Sequence, residues 1–233
     1  MSLRLRMVGE DVLLAHWPLA PERLRPHVPE SLTLDTYGGD AWLGVLAFRV
    51  TESRPDGVPV PSFGSFPQLN LRTYVTYDGE PGVYFISSDA PTRLGVEFGR
   101  QYLRLPMYES RIEMRAQRDA SIYFRSRRTQ PDAVPARFTA EYTPRGEPFS
   151  AGHDPRDSFL IERNHYFIPS DDQVYRGTIQ RGPWELRDVD VSIETNTLFD
   201  TVGVDPPDSA PVVRFSDGFD MSTNRPQPAT QLV

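Results

Sequence analysis

The sequence predicts a β-rich α+β fold with two or three short helices. Proline accounts for 23 of the 233 residues, roughly twice ordinary usage. At that density it cuts a chain into short pieces and works against long helices. Residues 68–76 alternate with a period of two: Leu69, Leu71, Thr73 and Val75 point one way, and Gln68, Asn70, Arg72 and Tyr74 the other. Turn clusters such as Tyr37-Gly38-Gly39-Asp40 and Asp78-Gly79-Glu80-Pro81-Gly82 separate strand-length runs.

Taken in order, residues 10–17 read as a strand stopped by Pro18. Pro21 then opens a short helix. Leu32–Asp35 and Ala41–Val50 read as two strands of a hairpin around the Gly38-Gly39 turn. The proline- and glycine-punctuated stretch 53–66 reads as a long surface loop. Gln68–Thr76 and Val83–Asp89 form a second hairpin. Pro91–Tyr102, with Leu94, Phe98 and Tyr102 at helical spacing, is the best helix, and Arg100 and Arg104 suit the negative end of its dipole. Strands follow at 110–117, 120–128 and 137–142. Asp157-Ser158 can cap a helix running to Arg163. Residues 165–168 and 173–180 read as another hairpin, and Pro183–Leu198 as the last packed part. The whole chain, 1–233, reads as one domain with a core at about 10–200 and a surface-wrapping tail over 203–233.

Composition removes several classes of function. Cysteine is absent, so no disulfide, thiol nucleophile or thiolate metal site exists. The four histidines show no metal-ligand spacing, and no metal or cofactor is expected. All 25 basic residues counted as Lys+Arg are arginine. Without lysine there is no side-chain amine for a Schiff base, and only the α-amino group of Met1 remains. A net charge of −7 disfavours nucleic acid and anionic membranes. The longest apolar run, Ala41–Phe48, is too short to cross a bilayer, and no signal-like segment follows the start, so a cytoplasmic location is expected. There is no dinucleotide fingerprint, phosphate loop, nucleophile elbow or His-Glu-x-x-His motif.

Two constellations have chemical content. The face of Gln68, Asn70, Arg72 and Tyr74 carries planar hydrogen-bonding groups. It is either an ordinary solvated face or the lining of a cavity in which an arginine clamps a carboxylate. Glu162-Arg163 is either a structural charge pair or, with Glu162 in a cavity, an acid/base.

A series of motifs in order carries a family resemblance: His16-Trp17-Pro18, Leu34-Asp35, Ala41-Trp42-Leu43-Gly44, Leu69-Asn70-Leu71-Arg72-Thr73-Tyr74-Val75, Gly82-Val83-Tyr84-Phe85, Asp89-Ala90, Leu105-Pro106 and Ile161-Glu162-Arg163. Together, over about residues 10–200, they resemble the uncharacterised YqjF-type family, whose fold is similar to acetoacetate decarboxylase. The resemblance implies a closed antiparallel sheet, a cone-type or double-psi β barrel, around an internal cavity. In the decarboxylase a Gly-Arg pair precedes a Pro-Lys-Lys sequence that supplies the Schiff-base lysine and its partner. Here Gly99-Arg100 precedes Pro106-Met107-Tyr108, so Met107 and Tyr108 stand at the two lysine positions and Gln68 at that of an upstream glutamate. Schiff-base decarboxylation is therefore not expected.

The resemblance and the residues together imply a small-molecule partner, a carboxylate or carbonyl compound, held by Gln68, Asn70, Arg72, Arg100, Met107, Tyr108 and Glu162. The alternative is an enzyme of another mechanism, by hydrolysis, enolisation or isomerisation. There Glu162 is the acid/base and Tyr108 or Arg100 the electrophilic helper. A third reading is an interaction protein with a vestigial cavity. An exposed sheet edge offers one route to a homo-oligomer.

Overall fold

The computed structural model describes residues 4–56, 62, 64–118, 120–207 and 209–229. In chain order the elements are β1 (Arg4–Leu19), α1 (Pro21–Leu24), β2 (Thr33–Leu34), β3 (Ala41–Pro55), β4 (Phe66–Tyr77), β5 (Glu80–Ala90) and α2 (Arg93–Phe98). Then come β6 (Met107–Ala116), β7 (Ile122–Arg128), β8 (Arg137–Ser150) and α3 (Pro155–Ile161). The chain continues through β9 (His165–Pro169), β10 (Val174–Arg181), β11 (Glu185–Asn196), β12 (Val212–Asn224) and β13 (Gln227–Pro228). The expected loop over 53–66 is shorter at both ends, because β3 runs on to Pro55 and β4 begins at Phe66; its middle lies largely outside the described residues.

Strand pairing runs in a circuit. From β4 it passes through β3, β1, β12, β11, β8, β7 and β6 to β5, and β5 pairs with β4 again. A side branch leaves β12 through β10 and β9 and meets β5 at the single pair Val83–Tyr166. The sheet is mixed rather than purely antiparallel, because β5 runs parallel to both β6 and β9.

The shared strands β1, β3 and β4 are covered on both faces. Leu13, Ala15, Val45, Leu69 and Leu71 join one apolar cluster with Phe124, Phe138 and Tyr142. Leu14, Leu46, Phe48 and Tyr74 face the other way and join a second cluster with Leu160, Tyr166 and Trp184. Burial on two faces is why Ala41–Phe48 reads as an unbroken apolar run. It is also why the polar side of β4 is not solvated: residues 68–75 are all buried.

Four expectations change at this level. β2 does not form a hairpin with β3; it pairs with β4 through Thr33–Thr76 and Leu34–Val75, and the Gly38-Gly39 turn is closed only by a Tyr37–Asp40 bridge. The expected tail contains β12, which pairs with β1 from Arg4–Asn224 to His16–Val212 and so lies in the middle of the sheet. Its polar, aspartate-rich composition disguised it, since its outward residues face solvent and are paired with arginines such as Arg6 and Arg187. The Pro91–Tyr102 helix is α2 followed by a π-turn over Gly99–Leu103, which ends at Arg104 with φ 56°. Within α2, Val96 is buried and Leu94 is 77% exposed, so the expected apolar stripe does not begin at Leu94. Finally, α3 is capped by Asp154, whose Oδ1 accepts from the Arg156 and Asp157 amides at 2.8 and 3.2 Å. Asp157 is buried instead, against Arg214 at 2.8 Å.

Candidate functional site

The second apolar cluster opens into a pocket of about 420 Å³. Its walls come from β1 (Leu5, Met7), β3 (Phe48), β5 (Phe85), α2 and its π-turn (Phe98, Leu103), β6 (Met107) and β12 (Met221). Leu94 stands at its rim. The polar groups on the wall are few: Ser53, Gln68, Asn70, Thr92, Tyr166 and Thr223.

Gln68 and Asn70 lie two residues apart on β4, so the pleat puts both on the same face. Gln68 Nε2 donates to Asn70 Oδ1 at 3.0 Å. Each carboxamide thereby fixes the other, leaving Gln68 Oε1 as an acceptor and Asn70 Nδ2 as a donor. Tyr166 crosses from β9 with its hydroxyl oxygen buried and unpartnered. Burial pushes its phenol up to about 12, a rise moderated by the neighbouring Thr223 hydroxyl. At neutral pH it is a hydrogen-bond donor, not a base. Among the described residues, no carboxylate, histidine or guanidinium lies on the wall.

Of the residues expected from sequence, Gln68, Asn70 and Met107 meet at this pocket. Met107 packs on the π-turn: a Cβ added at Gly99 would stand 2.7 Å from Met107 Cγ, so only glycine lets them touch. Arg100 does not line the pocket. Its Nε and Nη2 donate to the Met107 carbonyl at 2.9 and 2.6 Å, and Nη2 also reaches Gln130 Oε1 at 2.6 Å. The Gly99-Arg100 pair thus holds the chain bearing Met107 rather than a ligand.

Arg72, Tyr108 and Glu162 are also elsewhere. Arg72 shares the face of β4 that carries Asn70, but it stands two residues farther along the strand, beside Tyr74 and the end of α3. Arg72 Nη2 donates to the Leu160 carbonyl at 3.0 Å, while Arg163 Nε donates to Phe159 O at 2.7 Å and Arg181 Nη2 to Ile161 O at 3.1 Å. Three arginines therefore satisfy three successive carbonyls at the C-terminus of α3, where both the open acceptors and the helix dipole favour cations. Tyr108 lies under the Arg128 guanidinium, 4.0 Å from its ring centre, in a separate surface hollow. Glu162 accepts from the Trp184 amide at 2.7 Å and from Arg181 Nη1 at 2.8 Å, which makes it a tie between α3, β10 and the start of β11. The expected arginine-lined interior is therefore replaced by an apolar one. The guanidiniums were drawn to helix carbonyls and carboxylates, which compensate buried charge.

The sequence reading missed Tyr166, Thr223 and Phe85. Tyr166 left one trace: Gly177, its cross-strand partner on β10, is where the ring lies down. Thr223 was hidden by the misread tail.

Comparisons with known proteins agree with this fold. A family model for uncharacterised conserved proteins, DUF2071, matches residues 6–220. The chain belongs to that family. It is 38% identical over 218 residues to the uncharacterised protein YqjF of Bacillus subtilis, covering 93% of this chain and 89% of that protein. Among solved structures it is similar to acetoacetate decarboxylase from Legionella pneumophila, with a TM-score of 0.66 and 13% identity over 97% of this chain and 86% of that one. An acetoacetate decarboxylase-like enzyme from Sphingomonas wittichii gives 0.65 and 13%, covering 96% and 92%. The enduracididine biosynthesis enzyme MppR, complexed with pyruvate, gives 0.64 and 11%, covering 98% and 91%. At such identities the structures share the fold. Among the described residues no group of His, Asp and Glu is placed to hold a metal ion, and no helix is long and apolar enough to cross a membrane.

Proposed function

We propose that this protein binds a small, largely apolar molecule carrying an uncharged carbonyl or hydroxyl group, without forming a covalent bond to it. The observation that carries this reading is the composition of the pocket wall: a largely apolar cavity of about 420 Å³ whose few uncharged polar groups include the Gln68–Asn70 pair and the Tyr166 hydroxyl. Apolar cavities with a few fixed polar groups take ligands whose bulk is driven in by burial and whose orientation is set by hydrogen bonds. Asn70 Nδ2 and Tyr166 Oη donate to a carbonyl oxygen, and Gln68 Oε1 accepts from a hydroxyl. A carboxylate lacks a cation here and would lose its hydration without compensation. That narrows the wider expectation of a carboxylate or carbonyl compound to the carbonyl. The absence of lysine supports binding over imine chemistry, and the engagement of both Glu162 oxygens with Arg181 and Trp184 speaks against acid/base work by that residue.

Thermal-shift measurements against paired ligands, each a neutral ketone or alcohol beside the carboxylate of equal length, test the reading. The neutral members are expected to stabilise the protein, by about 2.7 kcal/mol at a hundred times Kd. Asn70→Leu is expected to remove that gain while the unliganded melting temperature stays close to that of the unaltered protein. Stronger stabilisation by the carboxylates, or full retention of binding in Asn70→Leu, overturns it.

A further inference from the structure

On β7, and around its partners in β6 and β8, side chains alternate between the core and the outer face. Ile112, Phe124 and Phe138 turn to the core, and Arg111, Arg125, Arg127 and Arg137 are exposed. The register puts Arg111 opposite Arg127 and Arg127 opposite Arg137. Three guanidiniums thus stand side by side across three strands, with neighbouring Cβ atoms about 5 Å apart. Like charges directly opposite each other destabilise a sheet. Among the described residues none of these three side chains has a hydrogen bond or ion pair.

The same face changes sign toward its other corner. Glu141 on β8 and Glu194 and Asp190 on β11 are exposed and line a surface groove of about 590 Å³ with Tyr123 and Ser192. Asp190 meets only the exposed Arg145, at 2.6 Å, and Glu141 accepts from the Ser121 hydroxyl at 3.2 Å. Four residues of strand, about 13 Å, separate Arg137 from Glu141. Glu113, opposite Arg125 on the same face, is engaged by Arg115 at 2.8 Å and leaves the row of Arg111, Arg127 and Arg137 without an acidic partner.

We propose that this face is a self-association surface whose occupant is a second copy of the chain. A two-fold axis lying between two such faces, and running diagonally between the basic and acidic corners, carries each basic corner onto the partner's acidic one. The strands of the two copies then cross at about 90°, one of the two ordinary packings of sheets. Isologous contact of this kind needs one self-complementary patch, and a face divided into opposite charges supplies it. The acidic groove receives the arginine side chains, and the charge neighbours missing within each copy are provided by the other. Nucleic acid or another polyanion fits the face less well, because its acidic half and the net charge of −7 repel such a partner.

Sedimentation velocity over a range of protein concentrations and salt tests this. The unaltered protein is expected to be dimeric at low salt and to dissociate near 1 M salt, since the contact is largely ionic. Arg125→Glu with Arg127→Glu in one protein, and Glu141→Arg with Glu194→Arg in another, are each expected to be monomeric with unchanged circular dichroism. Mixed in equal amounts, the two are expected to form a heterodimer. A monomeric unaltered protein at low salt overturns the proposal. So does a dimer that survives both sets of changes, or a mixture that fails to associate.

Discussion

Gly177→Ala tests how the pocket wall is held. Gly177 and Tyr166 are in register across β9 and β10, and the tyrosine ring lies directly over the glycine. A Cβ built at Gly177 would stand 2.0 Å from Tyr166 Cζ and 2.2 Å from Cε1. Carbon atoms rest about 3.5–4.0 Å apart, so the ring must withdraw by about 1.5–2 Å. The pocket lies beside it and offers the ring room to move. Overpacking costs typically about 1–3 kcal/mol, and with a cavity to move into the loss should fall near 1 kcal/mol. The displaced ring then narrows the binding space. The affinity for a neutral apolar probe such as Nile red should drop at least about tenfold, equivalent to about 1.4 kcal/mol. Urea denaturation and a fluorescence titration read the two quantities separately. On a Tyr166→Leu background the same glycine change should lose most of its effect, because the clashing ring is gone. Unchanged stability together with unchanged probe affinity in Gly177→Ala would refute the reasoning.

Further outcomes concern charge and protonation. Arg128 and Asp89 have side chains 3% and 2% exposed and meet through two bonds of 2.8 Å, with Ser110 adding a third to Asp89 at 2.6 Å. Asp89→Asn should cost about 3–5 kcal/mol in urea denaturation, and Asp89→Leu with Arg128→Met less than that single change; the reverse order contradicts the assignment. Burial, with help from Arg72, holds His16 well below the ordinary histidine range, so it is neutral in the folded state. Its contribution is whole above the unfolded value of about 6.5 and is lost as pH falls below it, at up to about 1.4 kcal/mol per pH unit. His16→Gln should flatten that acid slope measured by urea denaturation; His165, also held low mainly by burial, retains its own share. Glu162→Gln should lower thermal stability but leave probe binding intact, because the residue ties α3 to Arg181 and Trp184 away from the pocket. Lost binding at unchanged stability would return Glu162 to the site.

Three residues of the pocket wall were legible because local rules carry them. A period of two put Gln68 and Asn70 on one face of a strand. The order of short motifs singled out Met107, which stands on the pocket wall. Arg72 failed because periodicity gives the side of a strand but cannot see the helix end waiting beside it. Arg100 failed for a similar reason: a π-turn bends its guanidinium back onto the carbonyl of Met107.

The sequence by itself determined the chemical repertoire. No lysine and no cysteine means no side-chain imine and no thiolate, wherever the chain folds. It also determined most strands, since alternation and turn chemistry act between near neighbours. The tertiary structure alone decided which polar groups share a cavity. Tyr166 and Thr223 reach Gln68 and Asn70 from strands far along the chain, and a buried guanidinium goes wherever carbonyls or carboxylates compensate it. Those choices depend on long-range pairing, above all that of β12 in the middle of the sheet, which no short window of residues encodes.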